Sequence, residues 1–390
     1  MLEKKVVVLQ VIGEMVMGGA ESRIMDLLRT LDPEKVHYDF LVFNPKEQHY
    51  DQEIEARGSH VYRLQPRFKM YNYFAFCKAL KAFFMAHPEI DIVQGHMTST
   101  AAIYLPIAKQ CGVKCTIAHA RSAGVDPGFK GLLTKWLRRD LYRRADVLFA
   151  CSSEAAKAVY GEERYKAGKV RILPNAIDLS QFAPDEENRS AGRKVREKYG
   201  LGERFVVGHV GRFHYAKNHL FLLEIFRELL KSRKDAVLLL VGDGDTYAEV
   251  RERAAHLGIG DRVVFAGMQK DTAGYYHAMD LLIFPSRYEG LPGTVVEAQA
   301  AGVPCLMSSA VTKEVAVTSL VETLSLEEGA SVWAEEALAH YRRSGECKKK
   351  EGFWQECYEH LCEKGFDVTA QARMLERIYR KMAVTVHTCI

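Results

Sequence analysis

Two glutamates eight residues apart are the side chains whose type and spacing most clearly suggest chemistry. Glu289 begins the segment EGLPGTVVE and Glu297 ends it. Glu289 lies in a loop after an apolar run, beside the backbone N–H groups of Gly290 and Leu291, and Glu297 falls about two turns further on, within a predicted helix. Carboxylate acceptors beside backbone donors suit a hydroxyl-rich ligand, and Glu297 could bind a second pair of hydroxyl groups on it. Two solvent-facing glutamates are the alternative interpretation.

A pair of cations precedes these glutamates in a similar setting. Arg212 and Lys217 lie in GRFHYAKN, residues 211–218, between an apolar run and a predicted helix. Cations at the carboxyl edge of a parallel sheet could neutralise the charge that builds up on a departing nucleoside diphosphate. Two surface cations without a ligand are the alternative interpretation.

A glycine-containing turn follows the first apolar run of the chain. Gly18 and Gly19 precede Ala20-Glu21 at the start of a predicted helix. Glycines let the backbone approach an anion, and a helix N-terminus offers free N–H groups, although a tight turn alone also explains them. The dinucleotide fingerprint G-x-G-x-x-G is missing, which argues against a nicotinamide-dependent enzyme.

Histidines and a D-x-D sequence are weaker candidates. His96 and His119 each come at the end of an apolar run, where a histidine could bond substrate or serve an acceptor hydroxyl; a structural role in the core is the alternative. Asp243-Gly244-Asp245 is explained by a turn and a helix N-cap. We therefore expect no metal site.

The elements that must position these residues alternate regularly. Short β-branched runs, apolar on both faces, are separated by helix-like segments, which is typical of a parallel sheet covered on both sides. The predicted strands of the first half are Val6–Leu9, Tyr38–Phe43, Val61–Leu64, Ile90–Gln94, Val113–Ile117, Val147–Ala150 and Val170–Leu173. Those of the second half are Phe205–Val210, Val237–Val241, Val263–Phe265, Leu281–Phe284 and Pro304–Met307.

The alternation restarts after the polar, proline-containing stretch FAPDEEN, residues 182–188, which suggests a linker or an exposed connection. We predict an α/β protein with two Rossmann-like domains, residues 1–180 and 190–367, and a cleft between the carboxyl ends of their strands. Residues 368–390 are predicted to form a final helix and tail that packs on the N-terminal domain.

Composition restricts the class of protein. With 390 residues, 48% hydrophobic and 27% charged, the chain is long enough for two globular cores. A formal net charge of +4 is too small to indicate a nucleic-acid partner. The nine scattered cysteines favour a reducing compartment, and no targeting segment is evident. We expect a cytoplasmic protein.

Taken in order, the segments GGAE, LPNAID, GRFHYAKN and EGLPGTVVEA resemble the retaining GT-B glycosyltransferases of family four. The similarity extends over nearly the whole chain and fades after about residue 326. The phrases CSSEAAKAVYG at residues 151–161 and EAQAAGVP after the second glutamate look most like bacterial enzymes that assemble capsular or exopolysaccharide repeat units.

This resemblance implies two facing domains, a metal-independent reaction and a role for each matching residue. The residues given a role are Gly18 and Gly19 beside the donor phosphates and the acceptor, Arg212 and Lys217 on the pyrophosphate, Glu289 with Gly290 and Leu291 on sugar hydroxyls, Glu297 on the ribose, His119 near the donor sugar, and Met268 and Gln269 against the base. Ser308-Ser309 stand where many relatives carry an acidic residue, which leaves the donor sugar harder to infer.

The implied reaction transfers a hexosyl or N-acetylhexosaminyl group from a nucleoside-diphosphate sugar, first of all a UDP-sugar, to a saccharide or lipid-linked hydroxyl with retained configuration. No enzymic nucleophile is evident, so positioning and charge stabilisation would carry catalysis. A sugar-nucleotide epimerase of the same architecture and a non-catalytic nucleotide-sugar sensor are the alternatives. Acceptor-dependent release of nucleoside diphosphate separates transfer from both.

A basic, partly apolar segment at residues 128–147 could rest on an anionic membrane and meet a lipid-linked acceptor. It carries Lys130, Lys135, Arg138, Arg139, Arg143 and Arg144 together with Trp136 and Leu137. A domain helix with a solvated basic face explains it equally well. The aromatic-rich segment Phe68–Phe84 is expected to belong to the core.

Overall fold

The computed structural model describes residues 5–121, 124 and 129–384. The chain divides into two compact units, Met1–Ala176 with Val368–Ile390 as unit 1 and Ile177–Asp367 as unit 2. Each unit is built on one parallel sheet with helices between its strands. This is the Rossmann-like architecture expected from apolar strands that alternate with amphipathic helices.

Unit 1 contains a seven-stranded sheet in the order β3-β2-β1-β4-β5-β6-β7. Its strands are β1 Val6–Val11, β2 Val36–Val42, β3 Val61–Arg63, β4 Ile92–Gly95, β5 Cys115–Ala120, β6 Val147–Ala150 and β7 Val170–Ile172. Its first eight helices are α1 Gly19–Thr30, α2 Asp51–Ala56, α3 Tyr73–Ala86, α4 Thr98–Gln110, α5 Phe129–Arg138, α6 Leu141–Arg144, α7 Ser153–Tyr160 and α8 Glu162–Lys166. The order reverses between β1 and β4, and ligands of open α/β sheets bind at such a switch point.

Unit 2 contains a six-stranded sheet in the order β10-β9-β8-β11-β12-β13. Its strands are β8 Val206–Val210, β9 Val237–Val241, β10 Val263–Gly267, β11 Leu281–Phe284, β12 Cys305–Ser308 and β13 Val321–Leu324. Its helices are α9 Glu186–Lys198, α10 His219–Ser232, α11 Tyr247–His256, α12 Ala273–Ala278, α13 Gly293–Ala300, α14 Ala330–Lys348 and α15 Phe353–Glu363. Here the switch point lies between β8 and β11.

The last helix, α16 Val368–Val384, belongs to unit 1. Leu375 and Tyr379 are fully buried in the core that β1, β2 and β4 share. Glu376 accepts a hydrogen bond from the Asp32 backbone N–H at 2.9 Å, which ties α16 to the end of α1. Residues 385–390 of the predicted tail lie outside the described residues.

Three local expectations were wrong. The strand β13 was not predicted, because VETL at the sheet edge is short and its residues are only half-buried. The predicted linker at 182–188 is partly helical, since the Asp185 side chain accepts from the Asn188 backbone N–H at 2.8 Å and begins α9. The basic segment at residues 128–147, for which one domain helix was considered, is divided into α5 and α6, with Asp140 as the N-cap of α6.

Candidate active site

The turn that carries the two cations is held against the end of β9. The backbone N–H groups of Gly211 and Phe213 donate to Val241 and Asp243 at 2.9 and 3.0 Å. Gly244 has a φ of 154°, and a Cβ there would overlap the Phe213 backbone. Only glycine allows this approach without strain, so the turn after β8 is fixed by close backbone packing.

Lys217 ends the short 3-10 turn Tyr215–Lys217, directly before α10. The next residue, Asn218, has a left-handed backbone with φ of 58°, a conformation that asparagine tolerates better than most residues. Its side chain donates to the Pro285 carbonyl at 3.2 Å and accepts from Arg287 at 2.8 Å. These bonds join the turn before α10 to the loop after β11, which is the loop that carries Glu289.

The structure brings Lys217 and Glu289 together. Lys217 Nζ lies 2.8 Å from Glu289 Oε1, and the two side chains are only 17% and 16% exposed. The contact is an ion pair rather than an aligned hydrogen bond, since Glu289 Oε1 has no hydrogen-bond partner among the described residues. Lys217 Nζ also lies 4.6 Å from the centre of the Phe284 ring. A half-buried charge pair at the switch point of the sheet can bind a ligand that carries both phosphate and hydroxyl groups.

Arg212 is paired with a different carboxylate. Its guanidinium forms an ion pair with Asp245 at 3.1 Å, and both side chains are about two-thirds exposed. Exposed ion pairs contribute little free energy, so Arg212 can exchange Asp245 for a phosphate at small cost. Asp243 accepts from the Gly244 N–H at 2.7 Å, as expected for a turn.

Glu297 is buried in α13, only 9% exposed. Its Oε2 accepts a hydrogen bond from the Tyr276 hydroxyl at 2.7 Å. Thr294 donates to the Val210 carbonyl at 3.1 Å, which ties the first turn of α13 to the end of β8. The two glutamates therefore differ: Glu289 is paired with a cation in the loop, whereas Glu297 is held by a neutral hydroxyl inside the unit.

The remaining predicted residues of unit 2 lie at the same edge of the sheet. Leu291 is buried and Gly290 half-buried in the loop before α13. Met268 and Gln269 follow β10; Met268 is 55% exposed and Gln269 donates to the Ala266 carbonyl at 2.6 Å. An exposed methionine at the carboxyl end of a parallel strand is available to a planar ring.

In unit 1, Gly18 and Gly19 occupy the N-terminus of α1, Gly18 as its N-cap and Gly19 as its first residue. A Cβ on Gly18 would clash with the Glu21 carboxylate, which folds back over this turn. Burial raises the pKa of Glu21, while hydrogen bonds from the backbone at residues 20 and 21 oppose the shift. The flexible Glu21 side chain can move away from a larger residue at Gly18, and the Gly18 backbone is extended, so packing by itself does not require glycine here.

His119 lies in β5 and is completely buried. Burial holds its pKa well below the ordinary histidine value, with the charge of Arg121 as a second cause. Gln94 Nε2 lies 3.0 Å from His119 Nδ1, and His119 Nε2 has no hydrogen-bond partner among the described residues. A buried polar group without a partner is uncommon in native proteins, and His119 is therefore the candidate ligand contact of unit 1.

Sequence reasoning missed Arg121 and Gln94. Arg121 comes directly after β5 and donates to His96 Nδ1 at 3.2 Å and to Asn175 at 2.8 Å. Burial lowers its pKa. The sequence did contain a signal for both: Gln94 lies in an otherwise apolar strand, and Arg121 directly follows one. A polar residue at such a position requires a specific partner.

A group of residues able to hold a metal ion lies at a different place in unit 1. His37, Asp39 and His60 have ligand atoms within 4.8 Å of one another. None of the predicted site residues belongs to this group. The hydrogen bond within Asp243-Gly244-Asp245 agrees with the predicted turn, whereas the predicted helix N-cap is wrong, because Thr246 is the N-cap of α11 and no side chain of the described residues caps this helix.

Comparison with known proteins places this fold and these residues in a class. Residues 17–181 match the family model described as glycosyltransferase family 4, and residues 204–341 match that of glycosyl transferases group 1. A putative glycosyltransferase of Bacillus subtilis (strain 168), EpsF, is 32% identical over 377 residues, covering 95% of this chain and 96% of the relative.

Two further relatives show how far the similarity extends. The Anabaena protein Alr3699/HepE, solved with UDP and glucose, superposes with a TM-score of 0.73 at 18% identity and covers 95% of this chain and 98% of its own. An Escherichia coli UDP-Gal:alpha-D-GlcNAc-diphosphoundecaprenol alpha-1,3-galactosyltransferase is 26% identical over 56% of this chain and 58% of its own length.

Two Rossmann-like domains of this kind define the GT-B class of glycosyltransferases. The chain belongs to glycosyltransferase family 4 and is a glycosyltransferase enzyme. The family and the fold class expected from the four segments are thereby confirmed. Enzymes of the GT-B class take the transferred sugar from a nucleotide sugar.

Proposed function

We propose that this enzyme transfers a hexosyl or N-acetylhexosaminyl group from a UDP-sugar to a hydroxyl of a saccharide or lipid-linked acceptor, with retained configuration, in the synthesis of a bacterial surface polysaccharide. The observation that carries the proposal is the half-buried contact between Lys217 and Glu289, because it places a cation for phosphate beside a carboxylate for sugar hydroxyls. UDP accompanies the Anabaena neighbour, and UDP-galactose and a lipid diphosphate appear in the name of the E. coli relative.

We assign donor binding to unit 2. Lys217 and Arg212 neutralise the pyrophosphate, Glu289 with the backbone of Gly290 and Leu291 holds the sugar, and Glu297 holds the ribose. Glu297 suits that role since it is already fixed by the Tyr276 hydroxyl and loses little side-chain freedom on binding. Met268 and Gln269 contact the base.

Unit 1 is assigned to the acceptor and to the reacting sugar. Gly18 and Gly19 border the phosphates and acceptor, and His119 donates to an oxygen of the substrates. In the proposed step the acceptor oxygen attacks the anomeric carbon on the face from which the phosphate leaves. The acceptor proton passes to the departing phosphate oxygen, and the C–O bond to phosphate breaks. No enzymic nucleophile and no divalent metal take part in this proposal.

A donor screen tests the proposed reaction. The chain is incubated with UDP-linked hexoses and N-acetylhexosamines, and with GDP-mannose for comparison, with and without a lipid-diphosphate-linked saccharide. Release of UDP only when acceptor is present, with an α-linked product from an α-linked donor, supports retaining transfer. A changed sugar nucleotide without acceptor indicates an epimerase, and binding without any turnover indicates a sensor.

A membrane contact is the second part of the partner proposal. Leu132 and Trp136 on α5 are each 65% exposed, and Lys135 and Arg139 beside them are exposed as well. Arg138 differs from the expectation for this segment: it is half-buried and burial lowers its pKa, so it does not belong to the basic face. Gly128 lies outside the described residues. Exposed apolar groups beside cations are typical of a surface that rests on anionic lipid.

Exposed aromatic side chains of α3, which like α5 packs on α4, correct a second expectation. Phe74 is 86% exposed, and Tyr71 directly before the helix is 83% exposed, although the segment Phe68–Phe84 was expected in the core. Only one side of the helix, with Phe76, Leu80 and Phe84, is buried. Among the described residues no helix is long and apolar enough to span a membrane.

We expect the chain to float with phosphatidylglycerol vesicles and to lose this binding as salt is raised, since juxtamembrane cations contribute about 1 kcal/mol each. Lys135→Glu with Arg139→Glu should weaken flotation by at least about 10-fold. The matched control, Lys231→Glu with Lys234→Glu, reverses two exposed cations of unit 2 and should bind like the wild type. Equal vesicle binding by both double variants, or vesicle binding that does not depend on salt concentration, contradicts the membrane proposal.

A further inference from the structure

A chain of four buried side chains joins the C-terminal helix α16 to His119. The Tyr38 and Tyr379 hydroxyls are 3.1 Å apart, the Tyr379 hydroxyl lies 2.6 Å from Gln94 Oε1, and Gln94 Nε2 lies 3.0 Å from His119 Nδ1. None of the four residues is more than 2% exposed. Because these side chains are buried, each of their polar atoms is expected to need a hydrogen-bond partner nearby.

The geometry fixes the tautomer of the imidazole. The Gln94 amide nitrogen can only donate, so His119 Nδ1 must accept and the proton of the neutral ring lies on Nε2. That Nε2–H is buried and has no partner among the described residues. Burial also holds the pKa of His119 well below its usual value, so the ring is neutral at pH 7.

The opposite order of donors and acceptors along these hydrogen bonds is less favourable. With the Gln94 amide reversed, His119 Nδ1 would donate, Tyr379 would donate to Tyr38, and the Tyr38 hydroxyl proton would have no acceptor. Tyr38 lies in the hydrophobic core of unit 1, where an unpaired donor is destabilising. With Gln94 Nε2 facing His119, the unpaired proton is on His119 Nε2 instead, where an oxygen of a ligand can accept it.

The other histidine of this region explains why His119 is the available donor. His96 Nε2 lies 2.8 Å from Gln10 Oε1, and Arg121 Nε donates to His96 Nδ1 at 3.2 Å. His96 therefore also carries its proton on Nε2, but this N–H donates a hydrogen bond to Gln10 Oε1. His96 and Arg121 are the titratable groups next to His119, and both disfavour a charge on it.

We propose that Gln94 and Tyr379 are positioning residues that hold His119 as the Nε2–H tautomer, so that its free N–H donates to an oxygen of the bound substrates. In this proposal α16 not only packs on the core but also, through Tyr379, orients a side chain that contacts the substrates. The proposal rests on the proposed function for the contact between His119 and substrate, but the tautomer itself can be measured without any substrate.

The first test is the long-range ¹H–¹⁵N spectrum of the full chain labelled with ¹⁵N-histidine. His119→Asn identifies the resonances of His119 by their loss. We expect a neutral ring protonated on Nε2 between pH 6 and pH 8, a window chosen about the ordinary histidine pKa. Protonation of Nδ1, or an ordinary titration within this range, overturns the proposal whatever the activity of the enzyme.

Two variants then break the chain of hydrogen bonds. Gln94→Glu offers only acceptor oxygens to His119, so Nδ1 should become protonated, and kcat should fall by about 10²-fold or more with a smaller change in KM. Tyr379→Phe frees the Gln94 amide to reverse, so both tautomers should appear and kcat should fall by about 5-fold. Tyr379→Phe covers the case in which Gln94→Glu does not fold.

Tyr160→Phe is the matched control. Tyr160 is also buried in unit 1, and its hydroxyl donates to the backbone carbonyls of Ala118 and Phe149 rather than to Gln94. This variant should lose stability without changing the tautomer of His119. Equal changes in kcat for Tyr160→Phe and Tyr379→Phe overturn a positioning role. A correct tautomer in an enzyme that binds no UDP-sugar instead contradicts the proposed function and leaves the hydrogen-bond chain supported.

Discussion

Lys217→Ala is expected to lower turnover by about 10²-fold or more, by analogy with the loss of a donor that stabilises developing charge. The negative charge on the leaving phosphate grows as the bond to the sugar breaks. A fixed cation therefore stabilises the transition state more than the ground state. Lys217 is preorganised for this role: its amino group is held 2.8 Å from Glu289 and its side chain is 17% exposed. KM for the donor should rise less than kcat falls.

Steady-state kinetics with the UDP-sugar identified in the donor screen provide the measurement. Lys231→Ala serves as control, since Lys231 is 69% exposed and lies in the last turn of α10, whereas Lys217 precedes the first turn of that helix. The thermal midpoint of each variant shows whether it is folded. A folded Lys217→Ala enzyme with nearly unchanged kcat removes Lys217 from the mechanism.

Glu289→Gln is also expected to have a large effect, about 10²-fold in kcat/KM. Glutamine keeps the volume and one acceptor oxygen, but it loses the charge that holds Lys217 and one acceptor site for sugar hydroxyls. Because the two residues are in direct contact, their effects should not multiply. The double variant with Lys217→Ala should be about as slow as Lys217→Ala alone.

A double-mutant cycle in kcat/KM measures this coupling. Glu252→Gln, an exposed glutamate on α11, is the control and should behave as the wild type. Losses that multiply in the double variant show that Lys217 and Glu289 act independently. That result contradicts their assignment to one donor site.

Much of the fold could be predicted from the alternation of apolar runs with amphipathic segments. Strands buried on both faces, such as Val237–Val241, were located correctly because their residues leave little choice of structure. The edge strand Val321–Leu324 was missed since it is short and half-buried. The exposure of Phe74 could not be predicted either, because composition does not tell which side of a helix is covered.

The placement of the candidate site residues was predictable in part. Lys217 and Glu289 were expected at one edge of the sheet, because parallel strands bring their carboxyl ends together, and the structure places them in contact; their role in a site stays a prediction. The bond between Tyr379 and Gln94 joins residues 285 positions apart, and no local pattern specifies it. Similarly, the pairing of Arg212 with Asp245 depends on how tightly two glycine turns pack.

The release of UDP in excess EDTA is the measurement that most directly tests whether Lys217 and Arg212, rather than a bound metal, balance the charge of the leaving phosphate. With the acceptor present, we predict that the wild-type rate is unchanged by EDTA, and that Mg²⁺ or Mn²⁺ does not restore the rate of Lys217→Ala. A rate that falls in EDTA and returns when Mg²⁺ or Mn²⁺ is added would contradict this mechanism.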